Sequence, residues 1–162
     1  MVPVIHKLDI HKETAARRVL DMQLRSYAVE AEIIGSNEIP PLHDTSHSLI
    51  NSGETFLGCF ESESLVAVIS YKFQDSILDI HRLFVDPEYF RQGYAGRMLQ
   101  AVESAEVGIG KILVSTGSKN FPAVEFYVSR GFARVGEIEV APGLLVTRFE
   151  KVGSLAASSG DC

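Results

Sequence analysis

Two stretches of this sequence place glycines and polar side chains where chemistry could be done. The first is Leu83-Phe84-Val85-Asp86-Pro87-Glu88-Tyr89-Phe90-Arg91-Gln92-Gly93-Tyr94-Ala95-Gly96-Arg97-Met98-Leu99. An apolar strand runs into Asp-Pro, then a glycine-bearing loop, then a helical pattern. Amide N–H groups in such a loop and in the first helical turn lack intrahelical acceptors, and with the helix dipole they make an anion site. Gly93 and Gly96 let a phosphate come close to the backbone. No Gly-Lys-Ser/Thr follows, so this is not a P-loop. The glycine spacing also departs from a dinucleotide fingerprint. The second stretch is Asn120-Phe121-Pro122-Ala123-Val124-Glu125-Phe126-Tyr127-Val128-Ser129-Arg130-Gly131-Phe132. Here a helix opens on a polar cap with proline in its first turn, carries Tyr127 about two turns in, and stops at glycine.

Taken in this order, about 30 residues apart, the two stretches resemble the motifs of the GNAT superfamily of N-acetyltransferases. Val85-Asp86-Pro87 and Gly93-Tyr94-Ala95 match the first motif; Phe90 stands where that motif carries a basic or amide residue, with Arg91 adjacent. Asn120, Ala123, Phe126, Tyr127, Gly131 and Phe132 match the second. The resemblance covers residues 55–150 well and the first 50 only in layout. It implies an acyl-CoA N-acyltransferase fold, acetyl-CoA as acyl donor, no metal, and transfer by direct attack in a ternary complex. It implies that amides of Arg91, Gln92, Gly93, Tyr94, Ala95 and Gly96 hold the CoA pyrophosphate. The strand ending at Val85 should splay from a neighbour, leaving a cleft for the pantetheine arm. Amides near Leu83 and Phe84 should polarise the thioester carbonyl, Asn120 should contact the arm, and Tyr127 should sit near the sulfur.

Amine acetylation makes clear demands. A lysine-like amine is neutral in only about 1 molecule in 2,500 at pH 7, so its proton must be taken. The tetrahedral oxyanion needs donors, and the leaving thiolate needs a proton or a hydrogen bond. On spacing alone Tyr127 reads as a core aromatic; within the motif it reads as the donor to sulfur. Its unperturbed pKa, near 10 against about 8.5 for a thiol, makes full proton transfer uphill by about 2 kcal/mol. Imidazole ionises in the right range for a base, which points to His81. Asp79 would orient it or bind a cationic substrate. Strand alternation puts Asp79, His81 and Leu83 on one face, a set that a bulge near residue 83 would break.

These residues need a scaffold, and the hydrophobic pattern supplies one. Val4–Ile10 reads as a strand. Ala16, Val19, Leu20, Leu24, Tyr27, Ala28 and Ala31 recur at helical spacing over about residues 12–32. Gly35-Ser36-Asn37 ends that helix, and Ile39-Pro40-Pro41-Leu42 is expected to be non-helical. A short helix is expected between a cap at Asp44 or Thr45 and Gly53. Strands follow at Thr55–Glu61, Leu65–Phe73 and Ile77–Val85, close enough for antiparallel hairpins. A helix from Gly93, a strand at Lys111–Thr116, the Asn120 helix, and a hairpin of Phe132–Val140 with Leu144–Lys151 complete the chain. The class is a mixed α/β fold, with a mostly antiparallel central sheet and helices on both faces. Residues 1–152 form one domain, and 153–162 read as a disordered tail.

Composition bounds the partners. Residues 21–81 carry ten acids against two bases, and residues 82–134 seven bases against five acids, with a net charge of −6 overall. That disfavours nucleic acid and suits an anionic cofactor beside a cationic acceptor. Glu30, Glu32, Glu38 and Asp44 are candidates to attract the amine, with Tyr27 and Pro40-Pro41 shaping the wall. Tyr27, Glu30 and Asp79 are the expected substrate contacts. No apolar run reaches membrane-spanning length, and no secretory leader is evident, so a cytoplasmic protein is expected. Cys59 and Cys162 suggest no disulfide framework, and His43 and His47 have no glutamate between them to suggest zinc. A homodimer is compatible with the resemblance. Three rival readings stay open: a lysine or N-terminal protein acetyltransferase, a non-catalytic acyl-CoA sensor, and a nucleotide-binding enzyme.

Overall fold

A computed structural model describes residues 2–154. The expected tail therefore lies outside the described residues from position 155 on. Among the described residues, seven strands and four α-helices follow in the order β1 (Val4–Lys7), α1 (Glu13–Ile34), α2 (Ser46–Ile50), β2 (Thr55–Glu61), β3 (Ser64–Gln74), β4 (Ile77–Val85), α3 (Tyr94–Ala105), β5 (Lys111–Gly117), α4 (Phe121–Ser129), β6 (Ala133–Ala141) and β7 (Leu144–Val152). They make one sheet in the order β1-β2-β3-β4-β5-β7-β6. Every pairing is antiparallel except β4 with β5. This is the mixed, mostly antiparallel α/β sheet that the pattern predicts.

Each sheet face buries its own core. On one, Met98, Leu99 and Val102 of α3 and Val124 and Tyr127 of α4 pack on Cys59, Ala67, Ile69, Leu78 and Ile112. On the other, Ala16, Val19 and Met22 of α1 meet Phe56, Val68 and Phe84. The apolar residues of α1 recur every three or four positions, which is what lets one stripe cover the sheet. Among the described residues no helix is long and apolar enough to cross a membrane.

Three local features differ from expectation. The first strand ends at Lys7, and Ile10 is buried in the following turn instead of extending it. Pro40–His43, expected to be non-helical, forms one turn of 3-10 helix. Both prolines fall in its first positions, where the missing N–H groups would be unpaired anyway and φ is already helical. The buried Gln23 amide fixes that turn, donating to the Pro41 carbonyl at 2.9 Å and to Asp44 Oδ2 at 2.8 Å. Third, β4 is bulged. Tyr71 of β3 faces Ile80 and Ser70 faces Arg82, leaving His81 without a partner across β3. Before the bulge Leu78 and Ile80 face the α3–α4 core; after it Leu83 and Val85 do. The bulge therefore separates Leu83 from the face that holds Asp79, and the predicted set of three does not form.

Candidate active site

The parallel pair is where the sheet opens. β4 and β5 are in register only from Ile77–Lys111 to Asp79–Leu113. Beyond that, six further residues of β4 run on to Val85 without a partner on the β5 side. The Asp86 amide donates to the Val66 carbonyl of β3 at 2.8 Å. Counting back by two, the Phe84 amide also points at β3, and the amides of Leu83 and Val85 point into the cleft. Of the two amides that the resemblance assigns to the thioester, only that of Leu83 faces the cleft, where it meets the Tyr27 hydroxyl, with Val85 beside it.

The loop after β4 is held open by its own side chains. Asp86 accepts from the Glu88 amide at 3.0 Å and from Arg25 at 3.1 Å. Burial works to raise the Asp86 pKa, but the bonds from Arg25 and the Glu88 amide outweigh it, and the net shift is downward. Arg91 at φ 63° and Gly93 at φ 83° then turn the backbone left-handed, a geometry that aims successive amides at one point. The first intrahelical bond runs from Arg97 to Gly93, so the amides of α3's first turn are unpaired within the helix. No acidic residue occupies that turn. Tyr94 contributes its backbone only, since its ring is buried and its hydroxyl bonds Glu61; burial first, then Glu61, pushes its pKa up to about 12.

Arg130, at the end of α4, was not singled out from the sequence. Its guanidinium lies over the Phe126 ring at 5.3 Å. It comes so close to Gly96 that a Cβ there would sit 2.1 Å from Nη2. A side chain at position 96 would push the guanidinium aside. Arg130 also brings a positive charge to a loop that carries Phe90 at its usual basic position. The loop, the cleft and Arg130 line a cavity of about 600 Å³. Arg91, Gly93, Tyr94, Ala95 and Gly96 belong to its wall, and Gln92 does not.

A second cavity, of about 420 Å³, opens on the α1 side of the sheet. The two share Tyr27, Glu30, Leu83, Asn120, Ala123 and Tyr127. At this junction Glu30 Oε1 accepts from Asn120 Nδ2 at 2.9 Å and from the Thr116 hydroxyl at 3.3 Å. Burial raises the Glu30 pKa, against hydrogen bonds from Asn120, Thr116 and the Gly117 amide. Asn120 also caps α4, its Oδ1 accepting from the Ala123 amide at 3.3 Å. Tyr127 packs its ring against Phe126, Phe132 and Phe149. Among the described residues nothing hydrogen-bonds its hydroxyl. Burial and then Glu30 raise its pKa well above that of an ordinary phenol. Tyr27 is shifted the same way by burial, Glu30 and Tyr127, with the Leu83 amide pulling back through a hydrogen bond.

The second cavity holds His81 but not Asp79. Asp79 reaches it only through the imidazole, 3.4 Å from Nε2, and Glu54 lies 3.6 Å from Nδ1. Arg82 is neutralised by Glu54 and, at 3.2 Å, by Asp44. Of the four acids expected to attract an amine, only Glu30 lines the cavity; Glu32 and Glu38 are exposed elsewhere and Asp44 is tied to Arg82 and Gln23. Among the described residues there is no group of three metal-ligating side chains.

This arrangement, an amide-lined anion loop and a splayed parallel pair leading to a buried carboxylate and a phenol, coincides with a sequence match. The profile of the acetyltransferase (GNAT) family matches residues 17–132. The chain belongs to this family. Over 140 residues it is 39% identical to the UPF0157 protein YqkA of Bacillus subtilis (strain 168), a match that takes in 86% of the chain but 41% of that protein's length. Among solved structures, PaiA N-acetyltransferase of Thermoplasma acidophilum, in complex with coenzyme A, superposes with a TM-score of 0.77 at 21% identity, covering 94% of this chain and 99% of that one. The ribosomal-protein-S18-alanine N-acetyltransferase of Escherichia coli gives 0.75 at 13% identity, covering 93% and 94%. These likenesses show the GNAT fold. In this GNAT chain Arg130 lies inside the recognised second motif, yet nothing in its spacing reveals that it folds back on Gly96.

Proposed function

We propose that the chain transfers the acetyl group of acetyl-CoA to a small primary amine by direct attack within one ternary complex. The observation that carries this reading is the meeting of two cavities at Glu30 and Tyr127, one walled by anion-binding amides and the other by side chains. Acetyl-CoA fits the first: the unpaired amides of α3 and the Arg130 guanidinium would hold the pyrophosphate, and the open side of β4 would take the pantetheine arm. The neighbouring PaiA structure, which contains coenzyme A, supports this choice of donor.

The chemistry follows from what each side chain can hold. An amine in the second cavity arrives protonated, and Glu30 would take that proton. A carboxylate with a raised pKa is a better match to an amine than an ordinary one. His81, framed by Asp79 and Glu54, would sit beside the ammonium group before transfer. The nitrogen lone pair then attacks the thioester carbon. The Leu83 and Val85 amides would stabilise the oxyanion, at about 3 kcal/mol per donor in comparable sites. The C–S bond breaks, the nitrogen releases its second proton to solvent, and the neutral amide product forms. Tyr127 would hold the departing sulfur by hydrogen bond. Its raised pKa suits it to keep its proton, so the thiolate takes one finally from solvent.

Calorimetric titration of the full chain with acetyl-CoA tests the donor, with ATP and free CoA as controls. Saturable one-to-one binding of acetyl-CoA without binding of ATP is expected, followed by thiol release when amines are added. Failure to bind either CoA form would overturn the reading. Binding without thiol release for any amine would make the chain a sensor.

A further inference from the structure

We propose that the acceptor is a zwitterion, a small amino acid with an apolar side chain, and that Arg148 binds its carboxylate. This deepens the acetyl-transfer reading and rests on it. Arg148 stands on β7 opposite Ser115 of β5 and Gly136 of β6. By alternation it shares a sheet face with Val146 and Leu144, and all three line the second cavity. Arg82 in the same wall is neutralised by two carboxylates. Arg148 is not: among the described residues no hydrogen bond or ion pair engages its guanidinium. It presents a planar, paired set of donors to the cavity, the geometry that takes a carboxylate in two parallel hydrogen bonds.

The rest of the wall fixes the other two parts of the ligand. Ile138 and Val140 of β6 are 48% and 46% exposed, and both face this cavity together with Ile39 and Val146. Apolar side chains left in contact with water around a cavity suit an apolar body. The amine pole is Glu30, bonded to the Thr116 hydroxyl, one residue along β5 from the Ser115 that pairs with Arg148. Both poles line one cavity of about 420 Å³, so the molecule joining them is small. A polyamine would bring its second cation to Arg148, and a peptide N-terminus would bring no carboxylate there.

The test is thiol release by the full chain at saturating acetyl-CoA. The acceptors are leucine, methionine and phenylalanine, their carboxamides, and spermidine. At least one amino acid should exceed its own amide, and spermidine, by about tenfold or more in kcat/KM, the range of a charge-assisted bond. In R148Q the acid-to-amide ratio should fall to within about threefold of one, with acetyl-CoA binding confirming that the variant is folded. Equal use of acid and amide, preference for spermidine, or a ratio unchanged in R148Q would overturn the proposal while leaving acetyl transfer standing. Absence of both acetyl-CoA binding and thiol release would overturn the two together.

Discussion

The cavity on the α3 side and the cavity on the α1 side are made of different materials. The first offers unpaired backbone: the open edge of β4, a left-handed turn at Arg91 and Gly93, and the unpaired first turn of α3. Its wall also takes in Ser26, Tyr27, Val29, Glu30 and Ile33 of α1 and one side of α4. The second is mostly side chains, drawn from α1, the proline turn, β4, β5 and the β6–β7 hairpin. A site built of amides recognises what all acyl-CoA molecules share. A site built of side chains can change with each substitution, so acceptor choice is expected to reside there. Substitutions should accordingly separate into three groups: rate at the junction, donor affinity on one side, and acceptor preference on the other.

The largest effect is expected at the junction. Tyr127→Phe should lower kcat by about 100-fold and leave the acetyl-CoA dissociation constant within about twofold, since only the hydroxyl proposed to face the sulfur is lost. An equal loss of donor affinity would blur the division. Next, Arg130→Ala should weaken acetyl-CoA about tenfold by removing a charge-assisted contact, with the preference among amines intact. A shift in amine preference would mean that the cavities are not independent. The smallest effect belongs to Asn120→Ala, which removes the cap of α4 and one of the bonds on Glu30. A cap loss of about 1 kcal/mol should lower Tm by about 2–4 °C in a chain of this size, read by thermal unfolding.

The same division explains what could be read in advance. A backbone site leaves its mark as residue types at fixed spacing, because only glycine, proline and asparagine tolerate its turns and caps. Asp86-Pro87, Gly93, Gly96 and the Asn120 cap were therefore legible, as were the order of elements along the chain and both hairpins of the central sheet. The side-chain site leaves no such mark. Glu30 meets Asn120 across 90 positions and Asp44 meets Arg82 across 38, distances over which no local pattern operates. The acidic first half was visible, but not that Asp44 and Glu54 are spent on Arg82. A bulge near residue 83 could be allowed for but not placed: one extra residue changes which side chains share a face while barely altering the hydrophobic pattern, and it falls at His81. It removed Leu83 from the expected set with Asp79 and His81. Arg148 has no motif around it, and only the cavity gives it meaning.

Glu30 links both halves, and it has a property that stability alone can register. Burial raises its pKa from the ordinary 4.5, so the folded state favours the protonated carboxyl. The stability gained from that preference is present below the unfolded value and is lost as pH rises through the folded value. Glutamine does not ionise and escapes the loss. Glu30→Gln should thus be more stable than the wild type at pH 7, with the difference closing towards pH 4.

The most direct test of acetyl transfer at this junction is one paired measurement on Glu30→Gln: acetyl-CoA affinity by calorimetry and kcat by thiol release, both at pH 7. Affinity within about twofold of the wild type and kcat reduced about 100-fold or more is the expected result. Unchanged kcat with the same affinity would contradict it, and would move the proton acceptor away from α1.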